Sequence, residues 1–134
     1  VILRLLLDFS KNNYPILIDQ PEDDLDNRAI YHELVQYLRD KKGVRQIILV
    51  THNPNIVVGA DAEEVIVANQ NGIHNENPES KKFCYRTGAL EESFNNEKQE
   101  CILYQYGIRE HVCEILEGGK DAFRIREQKY NLSE

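Results

Sequence analysis

Two short apolar runs constrain this chain more than anything else in it. Ile16-Leu17-Ile18 ends at Asp19, and Ile47-Ile48-Leu49-Val50 ends at Thr51-His52. Both are short, rich in β-branched residues and bounded by polar or turn-forming residues, which is the signature of buried strands. Between them, residues 28–42 place Ile30, Leu34, Val35 and Leu38 on one helical face, with Asn27 suited to cap the start and Gly43 to stop the end. Strand, helix and strand at this spacing predict a βαβ unit with parallel strands and a right-handed crossover. Ligands bind such sheets beyond the carboxyl ends of the strands. Asp19 and His52 are therefore delivered to one sheet edge by two independent strands.

The remaining pattern fills out an α/β chain. Residues 1–9 have helical spacing and read as the end of a longer helix, broken by the polar stretch 10–14. Pro54 opens a short helix or turn that ends near Gly59. Residues 65–68 predict a third strand, residues 69–82 an exposed hairpin or loop, and Phe83-Cys84-Tyr85 an edge strand. Beyond Gly88 the pattern turns helical. Residues 108–117 are amphipathic, Gly118-Gly119 stops them, and residues 120–130 predict a last helix.

With 134 residues, 41% of them hydrophobic and 29% charged, the chain has the size and composition of one globular domain. Its net charge of -7 makes it a poor binder of nucleic acid by itself, because a phosphate backbone demands positive charge. No apolar run approaches the roughly 20 residues of a membrane span. Cys84, Cys101 and Cys113 are odd in number and show no CxxC spacing, as expected of reduced thiols in a cytoplasmic protein rather than a zinc site or disulfide frame. The sequence has no methionine, as expected of a fragment or processed chain. Lys41, Lys42 and Arg45 read as a solvated helix end, and Tyr104 and Tyr106 as packing residues.

After the first strand, Asp19-Gln20-Pro21-Glu22-Asp23-Asp24-Leu25-Asp26-Asn27 sets four acids within the five positions 22–26. So much negative charge at one edge is costly unless a cation, water or a basic partner offsets it. By itself the run reads slightly better as a solvated acidic loop, since charge runs are usually exposed.

In order and register, these segments resemble the Walker B, D-loop and switch-histidine regions of ABC-type ATPases. The family pattern of four apolar residues, Asp, Glu, Pro and a later Leu-Asp is approached by residues 16–21 and Leu25-Asp26, with three apolar residues, Ile16-Leu17-Ile18, before Asp19 and with Gln20 where the glutamate is usual. Ile47 to Val50 followed by Thr51-His52-Asn53 matches the next strand and its histidine. The chain resembles SMC- and RecF-like heads, including large bacterial ATPases of the TrlF-like group, some fused to PHP-type phosphoesterase domains. The stretch 112–123 resembles that group's ending.

The resemblance implies the carboxyl-terminal portion of a P-loop NTPase, with parallel strands and flanking helices, spanning residues 1–134. The phosphate loop and signature motif are absent from the sequence and expected upstream of Val1. The implied cofactors are ATP and magnesium. Asp19 would hold the metal, Asp26 would reach across a head-to-head homodimer, and His52 would contact the γ-phosphate. Gln20 is a neutral amide that can orient water but not take its proton. Turnover is then slow, with ATP acting as a dimer-locking ligand, or Glu22 supplies the base, or Gln20 is an engineered trap; the first two fit the subgroup.

The implied function is an ATP-binding or hydrolysing half-domain acting in DNA repair or phage defence, with DNA contacted through other regions and no membrane contact. The alternatives are a non-hydrolysing ATP-gated dimerisation module and, more remotely, a metal-dependent phosphoesterase built on the acids from Asp19 to Asp26. In the family the phosphate-loop strand lies between the strand ending at His52 and the one at residues 65–68, so a sheet without it is expected to carry unpaired edges.

Overall fold

The computed structural model describes residues 13–24 and 28–117. The expected helices at 1–9 and 120–130, the Gly118-Gly119 stop, the Leu25-Asp26 pair and the Asn27 cap lie outside the described residues. The fold is mixed α/β, with one small parallel and one small antiparallel sheet. The chain divides into two compact units, with the boundary after Asp61.

In the first unit, β1 (Ile16–Asp19) and β2 (Ile47–Val50) pair in parallel, with Ile16 opposite Ile47 and Asp19 opposite Val50. Between them runs α1 (Arg28–Lys41), and a six-residue helix α2 (Pro54–Gly59) follows β2. One face of the sheet is covered. Ile18 is buried with Leu34, Tyr37 and Leu38 of α1 and with Ile56 and Ala60 of the α2 segment, and Ile16, Ile47, Leu49 and Tyr31 pack against this cluster. Leu34, Tyr37 and Leu38 follow the i, i+3, i+4 spacing of a single helical face.

On the other face of the sheet, no core cluster of described residues forms. Leu17 is 66% exposed, Ile48 47% and Val50 45%. Strand alternation puts Leu17 and Asp19 on that face, opposite Ile18. Among the described residues β2 pairs only with β1, and residues 65–70 pair in a separate antiparallel sheet.

The basic cluster after α1 differs from expectation. Lys42 Nζ donates to the Asp61 carbonyl at 2.7 Å and to Asp61 Oδ2 at 2.8 Å. Arg45 donates through Nε and Nη2 to the Tyr14 carbonyl at 3.0 and 2.6 Å. These exposed cations thus tie the end of α1 to Tyr14, just before β1, and to Asp61, beyond α2. Their partners lie 19 and 31 residues away, beyond the reach of local pattern.

The second unit is a hairpin backed by helices. β3 (Val65–Gln70) and β4 (Phe83–Gly88) pair antiparallel, from Val65 opposite Gly88 to Gln70 opposite Phe83. The connecting segment is organised by Asn77, which is 5% exposed. Its side-chain amide donates to the carbonyls of Asn69 and Lys81 at 3.1 and 2.9 Å, and its oxygen accepts from Asn69 at 2.8 Å. Helices α3 (Ile102–Gln105) and α4 (Ile108–Glu117) follow, supplying the buried Leu103, Ile108 and Val112.

Arg86 of β4 holds the intervening loop. It donates to the Tyr106 carbonyl and to Glu92 Oε1, both at 2.5 Å, and lies 4.6 Å from the centre of the Phe94 ring. Tyr106 packs edge-on against the buried His111, while Tyr104 is 43% exposed, so only one of the two tyrosines is a clear packing residue. Cys84, Cys101 and Cys113 are all free thiols.

Candidate functional site

The carboxyl ends of β1 and β2 lie side by side, because Asp19 is in register with Val50. The ladder runs one step further, where the Gln20 N–H donates to the Val50 carbonyl at 2.7 Å. There β1 ends abruptly. Gln20 has φ of 45°, in the left-handed region, and turns the chain into the 3₁₀ helix Pro21–Asp24. A side chain larger than glycine resists this conformation, and proline disfavours it further in the residue before it. The buried Pro21 and the Gln20–Val50 bond hold the turn nonetheless. Local strain of this kind, held by its surroundings, is common at functional sites. Here it falls on the residue expected to face the attacking water.

Glu22 joins the two strand ends. Its side chain is 12% exposed. Oε1 accepts from the Thr51 hydroxyl at 2.6 Å and from the His52 N–H at 2.9 Å, and lies 3.1 Å from His52 Nδ1. Oε2 is buried without a hydrogen-bond partner. Burial alone pushes the Glu22 carboxyl up, but the Thr51 hydroxyl, nearby backbone N–H groups and the His52 ring together outweigh it. The carboxyl is held below its ordinary 4.5.

Thr51 extends the chain of bonds, accepting from the Asn53 N–H at 2.9 Å. Asn53 in turn caps α2, its side chain accepting from the Asn55 N–H at 3.0 Å, with Pro54 in the first helical turn. The short helix after β2 is thereby tied through Thr51 to the loop after β1.

The structure brings Asp19, Gln20, Glu22 and His52 to one edge. Asp19 and Gln20 are exposed, and the His52 side chain is 68% exposed, so all three face solvent. Asp26 lies outside the described residues. Two partners are not marked by the strand-end motif itself: the Thr51 hydroxyl, whose bonding to Glu22 has no local signal, and the Asn53 cap, for which the Asn-Pro pair before an apolar turn is a legible signal.

A divalent cation fits the open edge in one respect. Asp19 offers a hard oxygen ligand, and magnesium typically keeps several waters and relies on one or two carboxylates plus phosphate oxygens. Among the described residues no group of three or more His, Cys, Asp and Glu side chains gathers into a metal cage. None of the described helices is long and apolar enough to cross a membrane. Comparison of the chain with family models, curated proteins and solved structures found no match.

Proposed function

We propose that this chain is the carboxyl-terminal portion of an ABC-type ATPase head of the SMC/RecF-like class, which binds and hydrolyses ATP with magnesium once the phosphate-loop half of the head is joined to it. One observation carries the reading. Asp19 ends one parallel strand, the Thr51-His52 loop ends the next, and Glu22 ties the two ends together at the edge where α/β sheets bind ligands. In this reading Asp19 holds magnesium through water, Gln20 orients the attacking water, His52 contacts the γ-phosphate, and Asp26 faces the partner head of a homodimer. Bound magnesium would supply charge neutralisation at the phosphates.

The exposed apolar residues on the second face of the sheet support the expected complementary half. Parallel sheets are ordinarily covered on both faces, and Leu17, Ile48 and Val50 are not. Action in DNA repair or phage defence, with DNA bound by other regions, belongs to the same proposal and rests on the resemblance alone.

The test is turnover of magnesium-ATP by the intact protein. Asp19→Asn and His52→Ala are each expected to abolish it; turnover that survives both would overturn the reading. Gln20 favours a second reading, an ATP-gated dimerisation module with negligible hydrolysis. A positioned general base contributes about 10²–10⁴-fold. If the native protein dimerises on ATP without turning it over, and Gln20→Glu raises turnover on that scale, the dimer lock is the better description.

A further inference from the structure

We propose that Glu22 is a positioning residue for His52, holding its ring through Nδ1–H and turning Nε2 outward as the nitrogen that meets a bound phosphate. The phosphate part rests on the ATPase reading above; the ring orientation does not.

A carboxylate oxygen accepts and does not donate, so a ring nitrogen in contact with it is the one that carries a proton. Glu22 Oε1 lies 3.1 Å from His52 Nδ1 and 2.9 Å from the backbone N of the same residue. One oxygen thus accepts the main-chain bond of His52 and stands in ion-pair contact with its ring. The Thr51 hydroxyl fixes that oxygen at 2.6 Å from the other side. Without this contact, a side chain 68% exposed would be free to sample several rotamers. Orientation of a histidine by a hydrogen bond at its second nitrogen is a general device, and it decides which nitrogen is presented to the ligand. With Nδ1–H on Glu22, the ring reaches a phosphate oxygen only through Nε2. A ring protonated on both nitrogens donates to the carboxylate on one side and to the phosphate on the other.

The same geometry leaves Glu22 badly placed as the base. A base must present an oxygen to the water it deprotonates. Oε1 is already taken by His52 and Thr51, and Oε2 is buried. Glu22 therefore acts through His52 and not on water.

The ring is read directly by side-chain nitrogen NMR on this chain labelled at histidine, with His52→Gln assigning the signal among the four histidines. Under conditions where the ring is neutral, the expected form carries its proton on Nδ1. Glu22→Gln keeps an acceptor oxygen and should preserve that form. Glu22→Ala should shift His52 toward the Nε2–H form. A native His52 protonated on Nε2, or a tautomer unchanged in Glu22→Ala, would overturn the proposal. Should Glu22→Ala fail to fold, the native tautomer and the Glu22→Gln spectrum still decide it.

Turnover in the intact protein separates positioning from proton abstraction. A positioner tolerates Glu22→Gln within about threefold and loses turnover in Glu22→Ala, whereas loss of a general base in Glu22→Gln costs about 100-fold or more. A loss of that size in Glu22→Gln would overturn the assignment. Failure of the intact protein to bind nucleotide would remove the phosphate from the proposal and the ATPase reading with it, while the NMR result would still decide the ring orientation.

Discussion

Thr51→Val probes the link between the two strand ends with little change in side-chain size. The Thr51 hydroxyl donates to Glu22 Oε1 at 2.6 Å and accepts from the Asn53 N–H at 2.9 Å. A hydrogen bond to a charged group contributes about 1.5–3 kcal/mol net, and one between neutral groups about 0.5–1.5. Thr51 is half-buried, so water recovers part of each bond and the low ends apply. The sum is about 2 kcal/mol when Glu22 is ionised. Once Glu22 is protonated both bonds are neutral, and the cost falls to about 1 kcal/mol. Because the Glu22 carboxyl is held below its ordinary 4.5, this fall should appear only below that pH.

The assay is urea denaturation of the native chain, Thr51→Val, Glu22→Gln and the double variant, at neutral pH and at the lowest pH that leaves the chain folded. Amide signals of β1 and β2 report on the first unit by itself. The double-mutant cycle should show coupling of about 1 kcal/mol between Thr51 and Glu22. Strict additivity, or a Thr51→Val cost that does not change with pH, would show that the Thr51–Glu22 bond does not join the strand ends.

Three further outcomes follow from the structure. Ile56 is fully buried in the core of the first unit, so Ile56→Ala should cost about 2–5 kcal/mol by denaturation, whereas Val58→Ala, half exposed on the same helix, should cost well under half as much. A Cβ on Gly107 would stand 2.5 Å from the Glu92 carbonyl oxygen and 2.8 Å from the Ser93 Cα, so Gly107→Ala must displace backbone and should cost about 1–3 kcal/mol, read as lost amide protection at Arg109 and His111. Three carboxyls sit below their ordinary values: Glu22, as described; Asp61, through its hydrogen bond with Lys42; and Glu110, through the Ser93 hydroxyl. The unfolded chain then binds more protons, so their stabilisation is present in full above about pH 5 and is lost as the pH falls through the folded values. The thermal midpoint should drop on acidification below that point, and a midpoint that rises there would contradict the assignment.

What could be read from the sequence was whatever a local period encodes. β1, β2, α1 and α4 were all legible, because their apolar positions recur at 2 or 3.6 residues and turn formers bound them. Parallel pairing followed from the spacing alone, and with it the placement of Asp19 near His52. β4 runs past the expected Tyr85 to Gly88 because Arg86, polar to a local reading, turns inward onto the Tyr106 carbonyl and Glu92. Helix α3 is only four residues long and offers too little periodicity to stand out.

The site was half legible. Motif order marked Asp19, Gln20 and His52. The Glu22 clamp was not legible, because its partners lie 29 and 30 residues away and become neighbours only when the strand ends come into register. For the same reason Lys42 and Arg45 looked like solvated charge, and Tyr37 joined the α1 core unannounced, since a tyrosine at the edge of an apolar stripe reads equally well as exposed.

In the proposed reading this chain is one half of a composite ATP site. The most direct test is calorimetry with ATP and magnesium, on this chain alone and on the intact protein. Binding is expected for the intact protein and not for the chain alone, because no GxxxxGK[ST] loop is present here to cradle the phosphates. Tight binding by the chain alone, or no binding by the intact protein, would contradict it.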